Sequence, residues 1–135
     1  MEYSIGAFSK MTGISASALR YYEKEGLLCA PRDNAGRRRY GGADAAWVEF
    51  IVRLKETGMP IREIREYARL RAFGDVTMEQ RMEMLQKHRK HVLEEQERIG
   101  KNLEKLEQKL EFYAGRLKDM QGQEPYNQKK RCTRV

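Results

Sequence analysis

Cysteine and proline are scarce in this chain of 135 residues, which has two cysteines and three prolines. Cys29 and Cys132 are too few to form a disulfide framework. No apolar run approaches the roughly 20 residues of a membrane-spanning helix, and the N-terminal MEYSIGAF lacks the basic and then apolar layout of a signal peptide. We therefore expect a cytoplasmic protein with no membrane partner.

The chain also lacks the sequence motifs of enzymes. It has no glycine-rich phosphate loop, no nucleophile elbow and no cluster of metal ligands. His88 and His91 lie three residues apart with Glu95 one turn further, but two imidazoles without a nearby cysteine favour a solvated pair over a metal site. We therefore expect no enzyme activity, no cofactor and no metal.

The two cysteines have different expected environments. Cys29 precedes Pro31 in an apolar segment, which favours a small buried residue over a sensor. Cys132 follows three basic residues, and nearby cations favour the reactive thiolate, so a redox role is open there. An inert tail is the favoured interpretation of the run that contains Cys132.

Basic residues, by contrast, are abundant. The chain has 27 Lys and Arg against 20 Asp and Glu, a net charge of +7. The excess lies in residues 1–75 and 121–135, whereas residues 76–120 are nearly balanced. Such a distribution suits a polyanionic partner, either nucleic acid or an acidic membrane surface. Residues 121–135 also lose periodicity, which predicts a basic, disordered tail.

Two short helices separated by a glycine-containing turn are predicted near the N-terminus. Ser4 can cap a helix that ends near Met11, a turn follows at residues 12–14, and Ser15 can cap a second helix over residues 16–25. This layout is that of a helix-turn-helix, but an ordinary corner between two helices fits the pattern equally well.

The second helix has two unlike faces. Leu19 and Tyr22 share one face and are expected in the core, whereas Arg20 and Tyr21 lie on the other. Arginine offers a planar fork for phosphate or a guanine edge, and tyrosine offers a hydroxyl for phosphate. The outward face is therefore a candidate nucleic-acid surface, and its residues are Ser17, Arg20, Tyr21 and Lys24.

A hairpin is predicted after this helix. Turn-forming residues between 31 and 36 separate two extended pieces, 27–30 and 37–40. We expect one of three consecutive arginines to pair with Glu23 or Glu25 and the others to meet phosphate. Such a hairpin would form the wing of a helix-turn-helix domain, and its arginines are Arg37, Arg38 and Arg39.

Two further helices are predicted on either side of the break at Gly58-Met59-Pro60. The first covers residues 44–57 and the second residues 61–70. Their apolar positions should close a small core: Trp47, Phe50, Ile51, Leu54, Ile61, Ile64 and Tyr67. The outer face of the second helix carries Arg62, Arg65 and Arg69.

A long helix with one apolar seam is predicted over residues 76–120. Thirteen seam positions alternate steps of three and four, and only Arg89 and Gln96 among them are neither apolar nor aromatic. A helix of about 60 Å cannot be covered by a small domain at its end, so we expect a second copy to cover it. The pattern itself leaves parallel and antiparallel pairing open. The expected dimer contacts are Met82, Leu85, Val92, Ile99, Leu103, Leu106, Leu110, Tyr113 and Leu117.

With these features the chain resembles the MerR family of bacterial transcription regulators. The resemblance rests on three stretches in the family's order and spacing, YSIGAFSKMTGISASALRYYEKEGLL, GRRRY and FIVRLKETGMPIREIREY. It implies a mainly α fold, with a winged helix-turn-helix domain at 1–72, an antiparallel coiled-coil dimerisation helix at 76–120, and the tail at 121–135.

The resemblance also implies a function. Family members bind a palindromic promoter operator as homodimers and distort the spacer DNA so that RNA polymerase can engage both promoter elements. At the matching positions it implies that Arg20 and Tyr21 contact DNA and that Glu23 braces the wing. With neighbouring polar residues, the expected DNA-binding set is Ser15, Ser17, Arg20, Tyr21, Lys24, Arg37, Arg38, Arg39, Tyr40 and Arg62.

The chain departs from some branches of the family. Metal-sensing members carry a cysteine near the start of the dimerisation helix, where this chain reads FGDVTMEQRMEM. Drug-sensing members add a large C-terminal domain, so the resemblance is to short members without one. The sequence does not indicate the inducer, the operator sequence, or whether the protein activates or represses transcription. The alternative function is a coiled-coil architectural or recombination-accessory DNA-binding protein.

Overall fold

The computed structural model describes residues 2–121, and the basic tail with Cys132 lies outside this range. The chain up to Leu93 forms one compact unit and the chain from Glu94 a second. The elements in chain order are β1 (Glu2–Tyr3), α1 (Ile5–Thr12), α2 (Ala16–Lys24), β2 (Tyr40–Gly41), α3 (Gly42–Glu56), α4 (Ile61–Phe73), a 3-10 turn (Asp75–Thr77) and α5 (Met78–Asp119).

Local capping determines where the first two helices begin. The hydroxyl of Ser4 accepts a hydrogen bond from the amide of Ala7 at 3.2 Å, and that of Ser15 accepts one from Ala18 at 3.1 Å. Gly13 ends α1 with a φ of 74°, which a residue with a side chain rarely adopts. The prediction of two capped helices separated by a glycine turn is confirmed.

The core of the first unit lies between α1, α2, α3 and α4. The ring of Tyr40 stacks on Phe8 at a centroid distance of 4.5 Å, and the Trp47 indole donates to the Leu27 carbonyl at 2.8 Å. Nearly all of the predicted core residues lie in it. Those that are buried are Leu19, Tyr22, Trp47, Ile51, Leu54, Ile64 and Tyr67, while Phe50 and Ile61 are partly buried against them.

The wing differs from the predicted hairpin. Residues 27–30 do not form a strand, because Leu27, Leu28 and Ala30 are buried in the core and the Leu27 carbonyl binds Trp47. An antiparallel bridge joins Arg32 to Arg38. The second piece contributes β2, which pairs antiparallel with β1, Glu2 opposite Gly41 and Tyr3 opposite Tyr40.

The prediction that Cys29 is buried was wrong. Its two neighbours, Leu28 and Ala30, turn into the core, so the side chain of Cys29 is left exposed with a free thiol. Side chains alternate between the two faces of a strand, so burial of Cys29 would require Leu28 and Ala30 to face outward. The structure has the reverse arrangement.

Helix α5 agrees with the predicted long helix to within two residues at its N-terminus and one at its C-terminus. In the first unit, Met84 and Leu85 pack against the core, and His88 Nε2 lies 2.7 Å from the Thr57 hydroxyl. In the second unit the seam is exposed, as at Leu106 and Leu110, which are 63% and 67% accessible. None of the helices within residues 2–121 is long and apolar enough to cross a membrane.

Candidate nucleic-acid interface

Helix α2 presents a polar, positively charged face to solvent. Burial of Leu19 and Tyr22 determines the rotation of the helix and turns Arg20, Tyr21 and Lys24 outward. Tyr21 is 42% exposed, whereas Tyr22 is 6% exposed. Ser17 in the first turn of the helix is exposed, and so is Ser15, the N-cap residue that precedes it. Helical spacing puts four of the predicted residues on one accessible side of α2, which we call the α2 face: Ser17, Arg20, Tyr21 and Lys24. Ser15 lies outside this face, at the N-terminus of the helix, where its hydroxyl accepts from the Ala18 amide.

A tight turn built on Asp33 presents Arg37. The Asp33 carboxylate accepts hydrogen bonds from the amides of Ala35 at 2.9 Å and Arg37 at 3.0 Å. The hydrogen bond from the Arg37 amide is the largest cause that lowers the pKa of the Asp33 carboxyl. The Arg37 side chain is 77% exposed and has only a 3.4 Å contact with Asp33, so its guanidinium is open to phosphate.

Glu23 connects the wing to helix α2. Its carboxylate accepts from Arg38 and, at 3.3 Å, from Arg32. The hydrogen bond to Glu23 raises the pKa of the Arg38 guanidinium. The prediction that one wing arginine pairs with Glu23 is confirmed, and that arginine is Arg38. The side chain of Arg38 is only 25% exposed, which leaves it a bracing role in place of the free phosphate contact that we expected.

Arg39 and Tyr40 are less accessible to DNA than the sequence predicted. Arg39 Nε is 3.7 Å from the carboxylate of Glu2, an exposed and therefore weak pair. Tyr40 is fully buried against Phe8, so its inclusion among the DNA-binding residues was wrong. Its hydroxyl finds no hydrogen-bond partner within residues 2–121. Burial, followed by the charge of Glu23, raises the pKa of Tyr40.

Helix α4 contributes one unpaired arginine near its N-terminus. Arg65 donates to the carboxylate of Glu25 at 2.6 Å, and Arg69 to that of Glu66 at 2.6 Å. Arg62 is exposed and forms no ion pair with any carboxylate in the described part of the chain. Of the three predicted outer-face arginines, Arg62 is therefore the one whose guanidinium remains available.

Two contacts were missed by sequence reasoning. Arg32 joins Arg38 on Glu23, and Lys55 of α3 lies over the ring of Tyr21 at 5.0 Å from its centroid. Sequence periodicity cannot relate Arg32 to Glu23 or Lys55 to Tyr21, because each contact joins two different elements. Only the tertiary packing of α2 against α3 and the wing reveals them.

The side chains of this surface are hydrogen-bond donors. Within residues 2–121 no three His, Cys, Asp or Glu side chains are grouped to hold a metal ion. The arrangement is one of guanidinium, ammonium and hydroxyl donors on a helix. Such donors bind phosphate oxygens and the acceptor atoms of base edges.

Family models match most of the described chain. The model described as MerR HTH family regulatory protein matches residues 3–70, and that described as MerR, DNA binding matches residues 45–110. An uncharacterized HTH-type transcriptional regulator of Haemophilus influenzae is 37% identical over 114 residues, which cover 84% of each chain.

Solved structures give the same result. HiNmlR, a MerR family regulator lacking the sensor domain, was solved bound to promoter DNA. It superposes with a TM-score of 0.76 at 36% identity, over 85% of this chain and 92% of its own. A MerR family transcriptional regulator from Bacillus thuringiensis superposes with a TM-score of 0.74 at 34% identity, over 84% of this chain and 100% of its own.

Proposed function

Because the chain belongs to the MerR family of transcriptional regulators, we propose that it binds a palindromic promoter operator as a homodimer. Binding then distorts the spacer DNA between the promoter elements and so controls transcription initiation. The observation that carries the proposal is the α2 face, on which Arg20, Tyr21 and Lys24 are exposed together while Leu19 and Tyr22 anchor the helix in the core.

The chemistry of this face suits the major groove of DNA. An α-helix fits that groove, and the planar fork of Arg20 matches the two acceptors of a guanine edge. The hydroxyl of Tyr21 and the ammonium of Lys24 suit phosphate oxygens on either side. Arg37 in the wing adds a phosphate contact at the edge of the interface, where its side chain is 77% exposed.

The exposed seam of α5 supports the homodimer. Ile99, Leu103, Leu106, Leu110 and Leu117 are each more than half exposed in the single chain. Burying each such side chain contributes on the order of 1.5–3 kcal/mol before entropy is subtracted. The family resemblance implies that the two helices pair antiparallel. Leu85 contributes less to this seam than predicted, since it already packs against its own core.

RNA polymerase and a cytoplasmic location belong to the same proposal. A regulator that changes the geometry of spacer DNA acts on the enzyme that must engage both promoter elements. Its work is done by binding and DNA deformation, so the proposal requires no enzyme activity of its own. Palindromic DNA follows from the two-fold symmetry of the dimer.

The alternative of an architectural or recombination-accessory protein is not favoured, because the relatives are transcriptional regulators. Selection of bound duplexes from a random pool tests the two functions directly. We expect one palindrome whose half-sites lie in successive major grooves, and a short footprint on the matching promoter. Broad protection without a common sequence would instead support the architectural alternative.

A further inference from the structure

A cavity of about 420 Å³ lies beside the segment that follows α2. Its walls come from the end of α2, that segment, α3 and α4, so it lies wholly within the first unit. None of the residues of the α2 face lines it. Small-molecule sites in proteins have volumes of about 300–1,000 Å³. The cavity is therefore large enough for a small ligand, and it is separate from the candidate DNA interface.

Trp47 holds a guanidinium group at this cavity. The guanidinium carbon of Arg71 lies 4.5 Å from the centroid of the Trp47 ring, and both residues line the cavity. Trp47 is 6% exposed and stacks on Tyr67 at 5.8 Å, so its ring is fixed by the core. A guanidinium over a ring keeps N–H groups at its edge, and their fork matches the two oxygens of a carboxylate. The cavity thus contains an anion-binding group that is already oriented.

The charges around the cavity leave Arg71 available. The carboxylate of Glu23 accepts from the two wing arginines, and that of Asp44 accepts from the Gly41 amide at 2.8 Å. Both carboxylates of the lining are therefore engaged, and two cations offset the charge of Glu23. Arg71 itself forms no ion pair with a carboxylate within residues 2–121. The unpaired charge at this cavity is positive, which favours an anionic ligand.

The rest of the lining adds donors and a small apolar surface. The backbone amides of residues 28–30 line the cavity and donate to no acceptor in the described part of the chain. Ala68 and Ala72 lie one turn apart on α4 and both line the cavity, and their short side chains leave room for a ligand. Cys29 adds an exposed, free thiol. Such a lining suits a carboxylate that is joined to a compact apolar group.

We propose that this cavity binds a small organic carboxylate, which the Arg71 guanidinium holds by its charge while the apolar part packs against Ala68 and Ala72. The thiol of Cys29 lies in the same lining, so its reactivity reports whether the cavity is occupied. This inference does not rest on the proposed function, because the site is separate from the α2 face and its test uses no DNA.

The first test uses the fluorescence of Trp47, the one tryptophan of the chain. Benzoate is the probe, and benzamide is the control, since it has nearly the same shape without the charge. At constant ionic strength, benzoate should change the emission saturably and bind about tenfold more tightly than benzamide. Equal affinities, or no saturable change with benzoate, would overturn the proposal.

A pair of variants on α4 tests whether Arg71 holds the anion. Arg71→Gln should weaken benzoate binding about tenfold and leave benzamide binding unchanged. Arg69→Gln removes the same charge from a residue that is paired with Glu66, and it should bind benzoate like the wild type. Equal benzoate affinity in Arg71→Gln and wild type would contradict the role of Arg71.

Alkylation of the wild-type protein gives a measurement that does not depend on any variant folding. Iodoacetamide modifies accessible thiols, and peptide mass spectrometry follows Cys29 and Cys132 separately in the same sample. Saturating benzoate should slow the reaction of Cys29 severalfold and leave that of Cys132 unchanged, whereas benzamide at the same concentration should protect Cys29 much less. No protection of Cys29, or equal slowing at both thiols, would overturn the proposal.

Discussion

At the scale of single residues, the adjacent side chains of helix α2 have opposite environments, so their substitutions should have opposite effects. Arg20→Ala should leave the thermal midpoint nearly unchanged and weaken operator binding by about 1–3 kcal/mol if the guanidinium makes a bidentate base contact. Tyr22→Ala empties a site that is 6% exposed and should lower the free energy of unfolding by about 3–5 kcal/mol. Thermal denaturation and anisotropy titrations of both variants check the assignment. An unfolded Arg20→Ala or a fully stable Tyr22→Ala would contradict it.

Tyr40 permits a second prediction at this scale. Its buried hydroxyl has no partner within residues 2–121, so Tyr40→Phe should raise the free energy of unfolding by about 1 kcal/mol at neutral pH. Burial raises the pKa of Tyr40 in the folded protein, so above pH 10 the unfolded chain loses this proton more readily than the folded one. The free energy of unfolding of the wild type should therefore fall as the pH rises beyond 10. That of Tyr40→Phe should fall less steeply. Urea titrations at several pH values check both effects. Equal slopes in the two proteins would contradict the burial of this hydroxyl.

At the scale of elements, the wing contains an arginine that faces outward, Arg37, and one that braces it, Arg38. Arg37→Ala removes an exposed guanidinium and should weaken binding to all sequences while reducing the salt slope by about one. Arg38→Ala breaks the ion pair with Glu23 and should loosen the wing, with a smaller change in the salt slope. Salt-dependent anisotropy on operator and random duplexes distinguishes them. The assignment is wrong if Arg38→Ala has the larger effect on the slope.

The elements also differ in how much of their structure could be predicted from sequence. Helices α1 and α2 were predictable because their signals are local, namely caps at Ser4 and Ser15 and a turn at Gly13. The long seam of α5 was predictable because periodicity is a property of the helix alone. The region after α2 was not, because the Leu27 carbonyl is taken by Trp47 and Tyr40 by Phe8. These partners come from other elements, and no spacing rule connects them.

The same distinction applies to the candidate interface. The α2 face followed from helical periodicity around Leu19 and Tyr22, and the structure keeps it. Arg38 was placed on DNA as one of three consecutive arginines and Tyr40 because it ends the wing motif GRRRY, yet one is tied to Glu23 and the other is buried. A run of like residues indicates that a surface exists, whereas tertiary partners decide which of its members remain free.

At the scale of the whole molecule, the exposed seam predicts an obligate dimer. Light scattering at micromolar concentration should give about twice the chain mass of 15.9 kDa. Leu106→Asp places a charge in the seam and should yield monomers that no longer bind the operator, although Leu106 would not touch DNA. Gln108→Asp adds the same charge on the opposite side of the helix, and this control should remain dimeric. A monomeric wild type, or a dimeric Leu106→Asp, would contradict the pairing.

The shared carboxylate of Glu23 also constrains how this protein could be re-engineered. Glu23 lies on α2, whereas its two partners, Arg32 and Arg38, lie in the wing. Transplanting α2 alone from another regulator would replace Glu23 without the two arginines that tie the wing to it. The smallest segment that contains all of α2 and keeps Glu23 with both arginines is residues 16–38, and Glu23, Arg32 and Arg38 should change together or not at all during evolution.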